Sequence, residues 1–312
     1  MITVETRQGL NHPPPPAPVG APTDSTKLHT DTANVSGLAP KLNITPTPEP
    51  PAWHRSGAAK RLTRQAIVLA VVLAGWWIFS TSDRARVGDI PSPWETLVRL
   101  LELLVTGTFW SSLGATLGGL AMGLAIAIVI GVPVGLAIGF SRFATDSSRF
   151  VIDFLRTIPP VALIPLTLLI FGPLRPMQVT LVVIGVVWPL LIQATYAAQQ
   201  VEPVLRQVTR SFRLKRIEAI RFVFAPSALP FLWTGLRVAA TVALLISITA
   251  EYLGGIKGIG FELNQGLLDA RGDTVFAYVI TAGVLGAALN GGLVALQRRI
   301  LFWHPSERAR SR

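Results

Sequence analysis

The sequence predicts an all-α polytopic membrane protein of about six transmembrane helices. Three observations predict it. Of the 312 residues, 50% are hydrophobic and 14% charged, against roughly 25% charged in a soluble globular chain. Mean hydropathy is +0.51, and the apolar residues are gathered in six runs. The formal net charge of +11 is concentrated between alternate runs, which fits basic cytoplasmic loops better than a nucleic-acid surface.

Composition also excludes chemistry. There is no Cys, so disulfide, iron–sulfur and thiolate sites are absent. The four His residues, His12, His29, His54 and His304, lie outside the apolar runs, so no His-based metal site is expected in the membrane. The opening MITVETRQGLNHPPPP has no apolar core of signal-peptide type.

Residues 1–58 are rich in Pro, Thr and Ala (HPPPPAPVGAP, ITPTPEPPA) and read as a disordered cytoplasmic tail with local polyproline II. Residues 59–304 form the membrane domain, with spans at about 65–81, 112–140, 157–173, 176–198, 227–250 and 274–297. Residues 305–312 are a basic cytoplasmic tail. The third run holds Pro159, Pro160 and Pro165, which suits a bent span or a re-entrant piece; it is counted as a span. With the N-terminus inside, the inner segments carry 17 Lys and Arg and the outer segments 6. That asymmetry places both termini in the cytoplasm.

The second run carries Gly131, Gly135 and Gly139 at four-residue spacing, and Gly119 and Gly123 repeat it. Such a ridge lets helix backbones approach closely. It suits a subunit interface or a sliding helix, and equally packing within the chain.

Residues 199–224 interrupt the apolar pattern. Pro203 suits a helix first turn, and Glu202 supports Arg206 four residues on. Val201, Val204, Leu205, Val208 and Phe212 share one face, with Arg206, Gln207, Arg210 and Arg213 largely on the other. A second short helix from about Lys215 groups Leu214, Ile217, Ile220 and Phe224, and is expected to end at Pro226 and Pro230. Such a pair of helices either rests on lipid or docks a cytoplasmic partner.

Here the chain becomes recognisable. VEPVLRQVTRSFRLKRIEAIRFVFAPSALPFLWTGLRVA resembles the cytoplasmic coupling loop of ABC importer permeases. IPSPWETL, GVPVGLAIGFS, DFLRTIPPVALIPL, FAPSALPFLWTGLR, TAEYLGGIKGIGFEL and QRRILFW, in this order, resemble the permeases of nitrate, sulfonate, taurine and related importers. The resemblance covers residues 62–304. It implies a type I ABC importer permease-like fold and a pathway subunit of the bacterial inner membrane that moves a small solute by alternating access. It implies two ATP-binding subunits docked on the coupling loops, a second permease subunit (identical or different) and an extracytoplasmic solute-binding protein. ATP would be used by the partner and no cofactor bound directly. Consistently, no GxxxxGK[ST] phosphate loop is present. The coupling residues on this reading are Arg206, Gln207, Arg210, Phe212, Arg213, Leu214, Lys215, Ile217 and Arg221. The chain departs from the family pattern in three places. Gln207-Val208-Thr209 stand at its Glu-Ala-Ala, Arg213 stands at its bend Gly, and Gly119 stands where many relatives carry Arg. Because only Gly adopts positive φ without steric cost, Arg213 predicts a bend of different conformation.

Two charged residues fall within or at the end of the fifth run. Arg237 is a candidate pathway residue for an anion, or else a structural residue that snorkels or pairs with Asp153. Glu251 lies about 21 Å further along the same helix and is expected to be an outer-end anchor near the headgroups. GGIKGIG at 254–260 reads as an outer loop. An ion-coupled secondary transporter would favour intramembrane acid or His relays and an internal repeat; a membrane enzyme would need a catalytic constellation in the spans. The runs show neither. A permease for a non-anionic solute is the remaining alternative.

Overall fold

The computed structural model describes residues 57–82, 90–200, 207 and 209–301. Chain contacts separate residues 1–59 from Lys60–Arg312, and the fold described is that of the second unit. Among the described residues, all regular structure is helical.

Helix α1 spans Gly57–Ser80. Its C-terminal end is tied down by Trp76, which donates to Pro91 O at 3.1 Å and stacks on Phe276. Helix α2, Pro93–Leu104, was not expected from hydropathy because Glu95, Arg99 and Glu102 dilute it. Its start is nonetheless encoded in IPSPWETL. Ser92 N donates to Glu95 Oε2 at 2.7 Å and Glu95 N donates back to Ser92 Oγ at 3.2 Å. This reciprocal cap satisfies two orphan donors, and Pro93 gives up an N–H that the first turn does not use.

Helices α3 (Gly107–Gly139), α6 (Arg175–Gln199), α8 (Ala225–Gly254) and α10 (Gly272–Ile300) are each long and apolar enough to cross a membrane, as is Thr63–Ser80 of α1. Each of the four begins and ends within a few residues of its predicted run. The core lies where α3, α6 and α8 meet, around Leu120, Met177, Leu181, Val186, Ala243 and Ile246. The glycine ridge of α3 faces α6 within the chain. A Cβ would lie 3.0 Å from Val187 O at position 131, 2.8 Å from Ala194 Cβ at 135 and 2.6 Å from Ala198 Cβ at 139. The last two are closer than side-chain carbons approach and the first is tight, so the missing side chains are what allow this helix pair its separation.

The third run is the bent piece that its prolines suggest, and its break lies at Pro159 and Pro160. Residues 157–173 do not form one straight span. Helix α4 covers Arg142–Leu155, a 3₁₀ turn covers Pro160–Leu163, and helix α5 covers only Ile164–Phe171. Eight residues rise about 12 Å, well short of the hydrocarbon thickness. The pair α4 and α5 meets the span criterion only as a broken unit bent by 67°. Pro159 and Pro160 cause the break, since each lacks a donor and disfavours helix at the residue before it.

The second coupling helix is corrected. A single turn, α7 (Arg216–Ala219), passes through a π-helical turn, Ile220–Phe224, directly into α8. Ile217–Gly254 is therefore one continuous helical stretch of 38 residues. Pro226 does not stop it. The wider turn, in which Ala225 N bonds Ile220 O, shifts the register where the proline donor is missing. GGIKGIG proves to be a tight connection. Gly255 takes a left-handed φ of 69° after α8, and a further helix, α9 (Ile259–Leu268), starts inside the motif.

Candidate functional site

Three places hold the residues singled out from sequence, and the structure keeps them apart. The first is the loop before α8. Arg206 lies outside the described residues. Gln207 and Arg210 are exposed and helical. The helix then closes with Arg213 N bonded to Arg210 O and Leu214 N to Thr209 O, both at 3.1 Å. This is the double-bonded helix stop that places its next residue in the left-handed region, where Gly is favoured. Arg213 occupies that place with φ of 52°. The expectation of a different bend is overturned: the conformation is kept, and a Cβ-bearing residue carries the strain. Beyond it, Lys215 N donates to Glu218 Oε2 at 2.9 Å and starts α7.

Around this bend the apolar side chains divide. Phe212 is 74% and Ile217 78% exposed. Leu214 is half-buried, and Lys215 and Arg221 are exposed. Phe224 turns inward to pack on Phe140 at 5.0 Å, so the four-residue apolar group expected for the second helix is split. What remains is a knob on which Phe212, Ile217, Ile220 and Phe222 are bare, flanked by Arg210, Arg213, Lys215 and Arg221.

The second place is Arg237 on α8. Its Nε donates to Asn290 Oδ1 of α10 at 2.8 Å. Asp153, the partner weighed from sequence, instead pairs with Arg156 at 3.1 Å. Among the described residues no carboxylate lies within 4.0 Å of the Arg237 guanidinium. Its four Nη hydrogens are thus left for other acceptors. Thr234, Val238, Thr241 and Leu245 form the exposed stripe of α8 beside it. The two Thr hydroxyls donate to Pro230 O and Arg237 O, which leaves their lone pairs outward. Asn290 was not found from sequence; a lone Asn in a small-residue run, ALNGGL, was the available signal.

The third place corrects Glu251. It is fully buried, at 0% exposure, rather than anchored among headgroups. Gln178 Nε2 of α6 donates to it at 2.7 Å, Thr116 Oγ1 of α3 at 2.9 Å and Gly260 N at 3.0 Å. Thr116 also accepts from Ile259 N at 2.9 Å. Glu251 and Thr116 therefore cap the first turn of α9, where unpaired N–H groups and the helix dipole favour a carboxylate. A Cβ at Gly258 or Gly260 would strike Glu251 itself or the α8 backbone, so the glycines of GGIKGIG serve close approach. One turn away, Ser112 Oγ donates to Glu262 Oε1 at 3.0 Å. This cluster joins four helices and leaves no opening for a solute.

Long apolar helices and a broken span define a multi-pass membrane protein. Residues 123–302 match the family described as the binding-protein-dependent transport system inner membrane component, and the chain belongs to that family. It is 29% identical over 251 residues to the taurine transport system permease protein TauC of Escherichia coli (strain K12), covering 79% of this chain and 91% of that one. It is 29% identical over 250 residues to the nitrate import permease protein NrtB of Synechocystis, covering 77% and 90%. Its fold is shared with a chain of the inward-facing MetNI methionine ABC transporter, with a TM-score of 0.54 at 18% identity over 62% of this chain and 96% of that one.

Proposed function

We propose that this chain forms the translocation pathway of an ATP-binding-cassette importer in the bacterial cytoplasmic membrane, and that it carries a small organic or inorganic anion such as a sulfonate, taurine or nitrate. Arg237 carries this reading. It places a guanidinium without a carboxylate partner among the described residues at mid-helix on α8, beside an exposed stripe with two hydroxyls. A cation at that depth is costly unless it serves a solute or a partner. The solutes named for the similar permeases, taurine and nitrate, both carry an anionic oxygen group. Transport is alternating access. ATP is hydrolysed by separate subunits that seat the Phe212 and Ile217 knob, a solute-binding protein delivers from the other side, and a second permease completes the pathway. Both termini and residues 199–224 face the cytoplasm.

The test is purification of the chain with the subunits that accompany it from its native membrane, followed by ATPase measurement in proteoliposomes. Taurine, an alkanesulfonate, nitrate and an uncharged solute of similar size are each supplied with the copurified binding protein. Stimulation by one of the anions alone supports the reading. Stimulation by the uncharged solute alone, or absence of any ATPase subunit, refutes it.

A further inference from the structure

At the end of the bundle that carries the loop before α8, the helices α3, α4 and α6 enclose an open cleft of about 300 Å³. Arg149 and Asp153 line it from α4, Arg156 from the C-cap of that helix, and Thr195, Tyr196 and Gln199 from α6. Asp153 is engaged by Arg156 at 3.1 Å. Arg149 has no carboxylate within 4.0 Å among the described residues. The Thr145 and Thr195 hydroxyl protons in the cleft are already committed, and the Tyr196 hydroxyl remains as a donor beside the guanidinium groups. Thr145 Oγ1 donates to Ile138 O and Ser141 O, and Thr195 Oγ1 to Gly135 O and Leu191 O. The donors that remain are chiefly guanidinium N–H groups, and the lining charge is net positive. Such a site selects an anion with several acceptor oxygens.

The surroundings say where that anion comes from. Phe143, Phe150 and Phe154 recur along the outward stripe of α4 and are 82%, 79% and 61% exposed. In a membrane protein a stripe of this kind faces acyl chains or the interface. The arginines and the phenylalanines are thus offered by one 14-residue helix and its C-cap, within a helix diameter of about 10 Å. Basic pockets between membrane helices take up anionic headgroups.

We propose that this cleft seats the phosphate headgroup of an anionic phospholipid on Arg149 and Arg156, with the acyl chains lying along the phenylalanine stripe of α4. A free phosphate ion shares the headgroup chemistry but not the need for the stripe.

The full-length protein in detergent, delipidated and then titrated, tests this by native mass spectrometry. Dioleoylphosphatidylglycerol should be retained at least about fivefold better than dioleoylphosphatidylcholine, the ratio expected of one basic contact. Millimolar inorganic phosphate should not displace it. Arg149→Gln, an exposed change with no packing role, should lower retention about fivefold. Asp153→Asn removes the internal competitor for Arg156 and should raise retention, an outcome that misfolding does not produce. Equal retention of the two lipids, displacement by inorganic phosphate, or unchanged retention in both variants would overturn the proposal.

Discussion

Gln178 on α6 and Glu251 on α8 are joined by a 2.7 Å hydrogen bond, the shortest link in a fully buried cluster that also holds Thr116 and the first turn of α9. The carboxylate tolerates burial because three donors and a helix N-terminus converge on it. Glu251→Ala strands those donors. We expect it to destabilise the folded protein by about 3 kcal/mol, since each buried unpaired group costs roughly 1–3 kcal/mol. Glu251→Gln keeps one acceptor and should cost less. Thermal unfolding in detergent checks both; equal stability of Glu251→Ala and wild type would refute the cluster's role.

The α3 ridge gives a paired prediction. Gly135→Ala puts a methyl 2.8 Å from Ala194 Cβ and nearer still to the Leu191 carbonyl, and should cost about 1–3 kcal/mol by overpacking. Gly114→Ala meets nothing within 4 Å and should be neutral or stabilising by up to about 1 kcal/mol from helix propensity. The same unfolding assay decides, and a reversal of the order would mean that α3 and α6 do not pack this way.

Arg213 sits at φ of 52° in a helix stop that favours Gly. Arg213→Gly should relieve about 1 kcal/mol of backbone strain, while Arg213→Ala should relieve none. Slower amide exchange at residues 209–218 in the Gly variant alone is the expected result. Faster exchange there would show that the bend is formed only against a partner.

Phe212 and Ile217 are bare, whereas Leu214 is half-buried. Phe212→Asp and Ile217→Asp should therefore leave stability within about 0.5 kcal/mol of wild type while weakening copurification of an ATP-binding subunit. Leu214→Asp should also disturb the bend, so it discriminates poorly. Unchanged copurification in both exposed variants would favour a loop that rests on lipid.

The long helices were legible because membrane spans announce themselves by local composition, and 20 apolar residues in a row have few other uses. The basic and apolar mixture before α8 was likewise local, but the bend was not: Arg213 was expected to force a different conformation and instead takes the left-handed φ of 52°. Elsewhere the missing information was non-local or short-range geometry. Glu251 finds Gln178 across 73 residues and Thr116 across 135, so no periodicity distinguishes it from a surface anchor. Arg237 chose Asn290 over Asp153 for the same reason: a helix position fixes depth but not azimuth. Helices α2 and α9 are 12 and 10 residues long and mix charges with apolar positions, which hides them from a hydropathy scan. The π-helical turn before Pro226 is a register adjustment that a proline alone does not reveal.

Orientation is open to a direct check, because the chain has no native Cys. Single cysteines at Ser211 and Asp269, both exposed, should behave oppositely in intact cells. Asp269→Cys should react with an impermeant thiol reagent and Ser211→Cys should not. The reverse pattern would invert the topology.

The central claim, an anion path beside Arg237, is tested most directly by uptake in proteoliposomes holding the complete importer. Arg237→Gln removes the charge and should lower uptake of the stimulating anion at least about tenfold, since a lost hydrogen bond to a charged group is worth roughly 1.5–3 kcal/mol. Assembly and unfolding temperature should stay near wild type, and Arg237→Lys should recover part of the rate. Wild-type uptake by a normally assembled Arg237→Gln complex would contradict the account.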